Sequence, residues 1–146
     1  MIDEQEFVIC LPFPPSVNSI LGKRWPDAFW VECKERAHMV ALSLADGKPF
    51  KGGLEVSYLL VKNDLRRYDI RNMVKCLDDG FNNALWVDDY QIDRAIEDRD
   101  FIDPELEWGG SVYIYVREVR EVPKYDQDYA KYGGRTPKKK RRYKAK

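Results

Sequence analysis

Histidine is nearly absent from this chain, with His38 the single example among 146 residues. The cysteines number three (Cys10, Cys33 and Cys76), lie far apart and show no C-x-x-C spacing. That inventory argues against a zinc site built from Cys and His, and leaves His38 as a structural or surface residue. All three cysteines fall inside apolar patterns and read as small core residues in a reducing compartment. No apolar run approaches the roughly 20 residues of a membrane span. The opening MIDEQEF is acidic, which does not fit a signal or transit peptide. The expectation is a cytoplasmic protein with no membrane partner. Internal repeats are missing too, and the length suits one domain with a modest core.

Acidic residues are missing from one stretch only. Residues 135–146 hold eight basic side chains and no carboxylate, so removing them from the 25 basic residues leaves 17 against 25 acidic ones. The formal charge of zero thus conceals a body of −8 and a basic tail. Such asymmetry suggests a polyanion-binding arm on a domain that gathers carboxylates for another purpose. The tail is expected to be disordered without a partner from about Pro123, giving a folded unit 1–122 and an appendage 123–146.

The patterning predicts strand, helix, strand, helix and two further strands. Phe7–Leu11 is a short apolar strand ended by Pro12, and PFPPSVN is a rigid extended loop. A helical pattern from Pro26 places Trp30, Cys33, Ala37, Val40, Ala41 and Leu44 on one stripe, until Gly47 and Pro49 stop it. Phe29, Trp25 and Trp30 read as core or dimer contacts. Leu54–Val61 reads as a central strand. Ile70, Met73, Val74, Leu77, Phe81 and Ala84 form a second helical stripe with Asp69 as N-cap. Residues 90–101 and Ser111–Val119 complete the sheet. The fold class is α+β (mixed α/β), a small mixed sheet with two helices on one face.

The polar edge of the second helix carries Arg71, Asn72, Lys75 and Asp79, and Asp88-Asp89 follows shortly after. Magnesium takes hard oxygen ligands and often only one or two carboxylates. Acids from the helix entrance and from the strand edge would therefore suffice for one ion. The residues alone leave a plainer reading open, in which Asp69 is only a cap and Asp88-Asp89 an ordinary acidic turn.

The opening FVICLPFPPSVN, the segment Asp69-Ile70-Arg71-Asn72-x-x-Lys75 with Asp79 beyond it, and Trp86-Val87-Asp88-Asp89-x-Gln91-Ile92 together resemble the RusA-type Holliday junction resolvase family. The likeness runs in register over residues 7–119 and leaves only the tail outside. It implies a homodimeric endodeoxyribonuclease that requires Mg2+ (or Mn2+) and resolves four-way and other branched DNA in recombination and repair, of bacterial or phage origin. Asp69 and Asp89 would be the metal-linked carboxylates, Asp88 a supporting acid and Lys75 the catalytic lysine. The candidate DNA contacts are Arg66, Arg67, Asn72, Lys138, Lys139, Lys140, Arg141 and Arg142. The tail would grip phosphates, with Tyr143 available to stack on a base, although a solvated tail or a targeting run is the plainer alternative.

One position departs from the pattern, D-x-D-N-x-x-K in the family: Arg71 stands where the family has its second aspartate. The charge there changes by two units, and two unit charges ~4 Å apart interact by about 4 kcal/mol at an effective dielectric near 20. Asp93 and Glu97, which share the parity of Asp89 along the expected strand, and Asp64 in the loop are candidate replacements. Without one, the chain is expected to be a catalytically impaired junction-binding protein on the same scaffold, unless Arg71 is itself an altered residue.

Overall fold

The computed structural model describes residues 6–19, 27–107 and 109–135. Alternation lays out the sheet. Strand β1 (Glu6–Pro12) turns Ile9 and Leu11 inward, and β2 (Gly53–Lys62) does the same with Leu54, Val56, Tyr58 and Leu60. In β4 (Gly110–Arg120) the inward residues are Val112, Ile114 and Val116. With β3 (Ile92–Arg99) these make one four-stranded mixed sheet in the order β1-β4-β2-β3. The pairs β1/β4 and β4/β2 are antiparallel, whereas β2 and β3 run parallel. A parallel pair needs a crossover, and this crossover carries the candidate site.

Helix α1 (Ala28–Ala45) starts at Asp27, whose carboxylate accepts the Phe29 amide at 2.7 Å, and ends where Asp46 enters the left-handed region. Its buried stripe is Trp30, Cys33, Ala37, Ala41 and Ala45, whereas Leu44, expected on that stripe, is exposed. The small residues let helix α2 (Lys75–Phe81) approach closely. A Cβ on Gly80 would come within 2.6 Å of the Lys34 carbonyl and 2.8 Å of the Ala37 Cβ. His38 ties the same two helices through Nδ1, 2.8 Å from the Gly80 carbonyl oxygen, which is the structural role expected of it.

The second helical stripe is broken in two. Ile70–Asn72 is a 3-10 turn, and α2 begins only at Lys75. Asp69 caps the 3-10 turn, accepting the Arg71 amide at 3.0 Å, so it does not cap α2. Met73, Val74, Leu77 and Phe81 are nevertheless buried together, because the tighter turn keeps neighbouring apolar residues on the same side. Ala84 lies past the helix, which ends at Asn82. Cys10 corrects another expectation. Its neighbours Ile9 and Leu11 point inward, so strand parity sends Cys10 to the exposed face, while Cys33 and Cys76 are buried.

Beyond the two expected helices stands a third, α3 (Lys124–Tyr132), in the stretch read as an unstructured tail. The Asp93 carboxylate accepts the Lys124 amide at 3.0 Å, and Gly133 closes the helix in the left-handed conformation. Trp25 and residues 136–146, with the basic cluster Lys138, Lys139, Lys140, Arg141 and Arg142, lie outside the described residues. Among the described residues no helix is long and apolar enough to cross a membrane.

The Gly80 contact gives a direct check. Alanine is the better helix former by about 1 kcal/mol, yet the clash with the α1 backbone should outweigh that gain. Gly80→Ala is therefore expected to destabilise the protein by about 1–2 kcal/mol in urea unfolding. An unchanged or higher midpoint would show that the helices have room to spare.

Candidate active site

The site is assembled on the core side of β2, at the edge where β3 pairs with it. Tyr58 stands in the inward row of β2 and is only 2% exposed. A buried phenol needs a partner, and its hydroxyl donates to the Asp78 carboxylate on α2. Burial pushes the Asp78 carboxyl up to about 7, the negative charges of Asp89 and Glu97 act in the same direction, and the Tyr58 hydroxyl and Lys75 act against it. The same surroundings drive the Tyr58 phenol well above its usual range, through burial first and then through Asp78, Glu97 and Asp89. The Asp78 carboxylate thus touches the Tyr58 hydroxyl, and the charges of Glu97 on β3 and Asp89 in the 3-10 turn Asp89–Gln91 act on it from further away.

Buried Gln91 holds the acidic turn in place. It is 1% exposed and fully engaged: Oε1 accepts the Val87 and Asp88 amides at 2.7 and 2.9 Å, and Nε2 donates to the Phe50 and Gly52 carbonyls at 2.8 and 3.0 Å. Trp86, wholly buried and donating from Nε1 to Asn82 at 2.7 Å, anchors the chain just before it. Asp88 and Asp89 therefore emerge from a backbone gripped on both sides. The neighbouring Asp88 carboxyl raises the Asp89 carboxyl above its usual range, further than burial does.

Lys75 is the cation beside this group, paired with Asp79 one helical turn on at 2.9 Å. That bond comes first among the causes that raise its ammonium above the usual range, and Asp89 and Asp78 add to it. The Glu97 carboxyl is raised by burial, lowered by the Arg71 guanidinium and raised by Asp69. The charge of Arg71 thus acts on Glu97, opposite in sign to that of the aspartate in the pattern that this segment resembles.

The three replacement acids fare differently. Glu97 faces the cluster, in register with Tyr58. Asp93 does not, because β3 carries an extra residue between Ile92 and Arg94 opposite Leu54 and Glu55. The bulge turns Asp93 to Arg120, whose Nε lies 2.7 Å from the carboxylate. Asp64 is spent locally, accepting the Arg66 amide at 3.0 Å and lying 3.4 Å from the Arg66 side chain. Arg66 and Arg67 are exposed on that loop, and Asn72 is half-buried in the 3-10 turn.

Tyr58 and Asp78 were not picked out from the sequence. Asp78 completes the spacing 74, 77, 78, 81, which is the apolar face of a helix, so an acid there is drawn partly out of solvent. Tyr58 occupies an inward position of β2 whose hydroxyl had to find an acceptor. Both signals were present in the spacing.

Among the described residues no three His, Cys, Asp or Glu side chains form a ready-made metal cage. A magnesium site needs less, since one or two carboxylates with water suffice. The negative charge of Asp89 acts on the Asp78 carboxyl, so these two oxygen donors repel each other. No family model matches this chain, and no curated protein matches it.

The raised Asp78 carboxyl has a consequence for stability. Its folded value lies above the unfolded one, so the native state binds the extra proton between about pH 4 and pH 7 and loses stability as pH rises through that interval. Asp78→Asn keeps an oxygen for Tyr58 without the charge. The variant is expected to exceed the parent in stability by up to about 4 kcal/mol at pH 8 and to match it near pH 4. Urea unfolding at the two pH values checks this, and an equal gap at both would remove Asp78 as the titrating group.

Proposed function

We propose that this chain is a metal-dependent endodeoxyribonuclease that resolves four-way and related branched DNA, a RusA-type junction resolvase with Arg71 in place of one family carboxylate. The observation that supports the reading is the hydrogen bond of the buried Tyr58 hydroxyl to Asp78, with the charges of Glu97 and Asp89, from two further elements, acting on the same phenol. An acid cluster assembled from distant parts of the chain, beside a lysine, suits phosphodiester hydrolysis better than it suits stability. Asp89 and Asp78 would hold Mg2+ or Mn2+, with Asp69 and Glu97 at the flank. An ion bound there offsets the charge of the scissile phosphate and makes a bound water more acidic.

The chain's own groups have definite tasks in this proposal. Tyr58 fixes the Asp78 carboxylate from below, Gln91 fixes the turn that presents Asp88 and Asp89, and Lys75 offsets charge on the phosphate oxygens. Arg66, Arg67, Asn72 and the tail lysines and arginines would contact the DNA backbone. A homodimer would present two such sites to a symmetric junction, in a bacterial cytoplasm or on a phage genome.

Arg71 favours a second reading. Its guanidinium already compensates Glu97, and so weakens the field available to an ion. On that reading the protein binds junctions and cuts them poorly.

A synthetic four-way junction incubated with the protein and Mg2+ or Mn2+ separates the two. Paired nicks that fall at least a hundredfold in Asp89→Asn establish the nuclease, while a shifted but intact junction establishes the binder. In the binder case Arg71→Asp is expected to restore cutting. Preference for linear duplex over the junction would remove both. For the tail, truncation after Gly134 should flatten the salt dependence of DNA affinity; an unchanged slope would show that the tail does not touch phosphates.

A further inference from the structure

Cys33 and Cys76 are the two buried cysteines, and the proposed chemistry uses neither. One sits on α1 and the other on α2. The packing of those helices sets them opposite each other. The Cys76 Sγ donates to the Trp30 carbonyl at 3.3 Å. One turn further along both helices, a Cβ on Gly80 would meet the Lys34 carbonyl at 2.6 Å and the Ala37 Cβ at 2.8 Å. Positions 76 and 80 thus face α1 in the same way, and the two helices run in the same direction at this contact. Three residues beyond the Lys34 carbonyl comes Ala37, which meets Gly80. Three residues beyond the Trp30 carbonyl comes Cys33, which the same register sets against Cys76.

The two thiols feel each other accordingly. The Cys33 thiol is held below its usual range, first by Cys76; burial opposes this and the Arg36 guanidinium adds to it. The Cys76 thiol is driven up, first by Cys33 and then by burial. A disulfide needs Cβ atoms about 3.5–4.5 Å apart, and helices that come this close one turn away run near that separation. Access differs between the partners. Cys33 is 8% exposed and Cys76 0%, so a small oxidant reaches Cys33 first.

We infer that Cys33 and Cys76 are a modification site, where hydrogen peroxide forms a reversible disulfide that clamps α2 onto α1. The Cys33 thiolate attacks one oxygen of the peroxide. The O–O bond breaks, and the departing hydroxide takes up the proton that the Cys33 thiol gave up and leaves as water. Cys76 then attacks the sulfur of the sulfenic acid. The S–S bond forms, the S–O bond breaks, and the hydroxide released takes the Cys76 proton as a second water. Two thiols are oxidised and one peroxide is reduced. The clamp holds the helix that carries Lys75 and Asp78, and it restricts the unfolded chain by closing a loop that includes β2. It does not depend on the junction-nuclease reading.

The test uses the full chain with Cys10→Ser, which removes the exposed thiol and with it any crosslink between copies through that residue. The folded protein is treated with hydrogen peroxide and then denatured. Its free thiols are titrated and its tryptic peptides weighed. The two remaining thiols are expected to fall to none, with the peptides of Cys33 and Cys76 joined and two hydrogen atoms lighter than their sum. Dithiothreitol should restore both thiols. The urea midpoint should rise on oxidation and return on reduction. Both thiols surviving the peroxide, or their conversion to sulfinic and sulfonic acids on unjoined peptides, overturns the pair. A joined peptide with an unchanged or lower midpoint overturns the clamp. Every readout is made on a chain whose core is unaltered, so no variant has to fold without its buried cysteines.

Discussion

The bond from the Tyr58 hydroxyl to the Asp78 carboxylate is the constraint on which the candidate site is built. It joins the central strand to the short helix of the crossover, with the phenol buried and the carboxylate half-buried. An ionised carboxylate there is costly unless a cation or several donors attend it. Tyr58 supplies one donor, and Lys75, committed to Asp79, lends only part of its charge. The remaining negative potential is uncompensated within the cluster, and that uncompensated potential is what a divalent ion would use.

The neighbouring acidic turn solves the opposite problem. Asp88 and Asp89 need to be presented to solvent without wandering, and the buried amide of Gln91 achieves this by using both ends. One end collects two backbone amides of the turn, and the other reaches the carbonyls of residues 50 and 52. A satisfied buried amide specifies one arrangement, because any slip of the turn would strand polar groups. Glutamine is long enough to span that gap; asparagine, one methylene shorter, is not. The turn is thereby fixed from the core, while its carboxylates remain at the surface.

How far the sequence discloses this architecture depends on the range of the forces involved. The alternation in β1, β2 and β4 is a local consequence of the pleat, so their inward residues were readable, as was the apolar stripe of Met73, Val74, Leu77 and Phe81. The exposed Cys10 was readable by the same parity, and only its apolar setting misled. The split between the 3-10 turn and α2 was less accessible, because both satisfy nearly the same spacing. Helix α3 escaped because it buries nothing, and hydrophobic periodicity reports burial. Asp93 escaped for another reason: a single inserted residue in β3 reverses parity, and no local pattern announces a bulge. In the site, Asp69, Lys75, Asp88 and Asp89 were legible as a motif, whereas the Tyr58–Asp78 pair is a tertiary contact between residues 20 apart.

Arg71 is best understood through where its charge falls. It acts on Glu97, on the β3 side of the cluster, while the Asp78 and Asp89 carboxyls look toward Lys75. The cluster therefore divides into a compensated half, Asp69 with Glu97 and Arg71, and an undercompensated half at the α2 end. A site that shared one ion across both halves would be damaged by the guanidinium, because opposite charges would compete for the same carboxylates. A site confined to Asp78 and Asp89 would feel it only at longer range, where the attenuation by solvent and by Glu97 itself is greatest. Arg71 thus acts first on Glu97, and Lys75 is the cation that acts on Asp78 and Asp89.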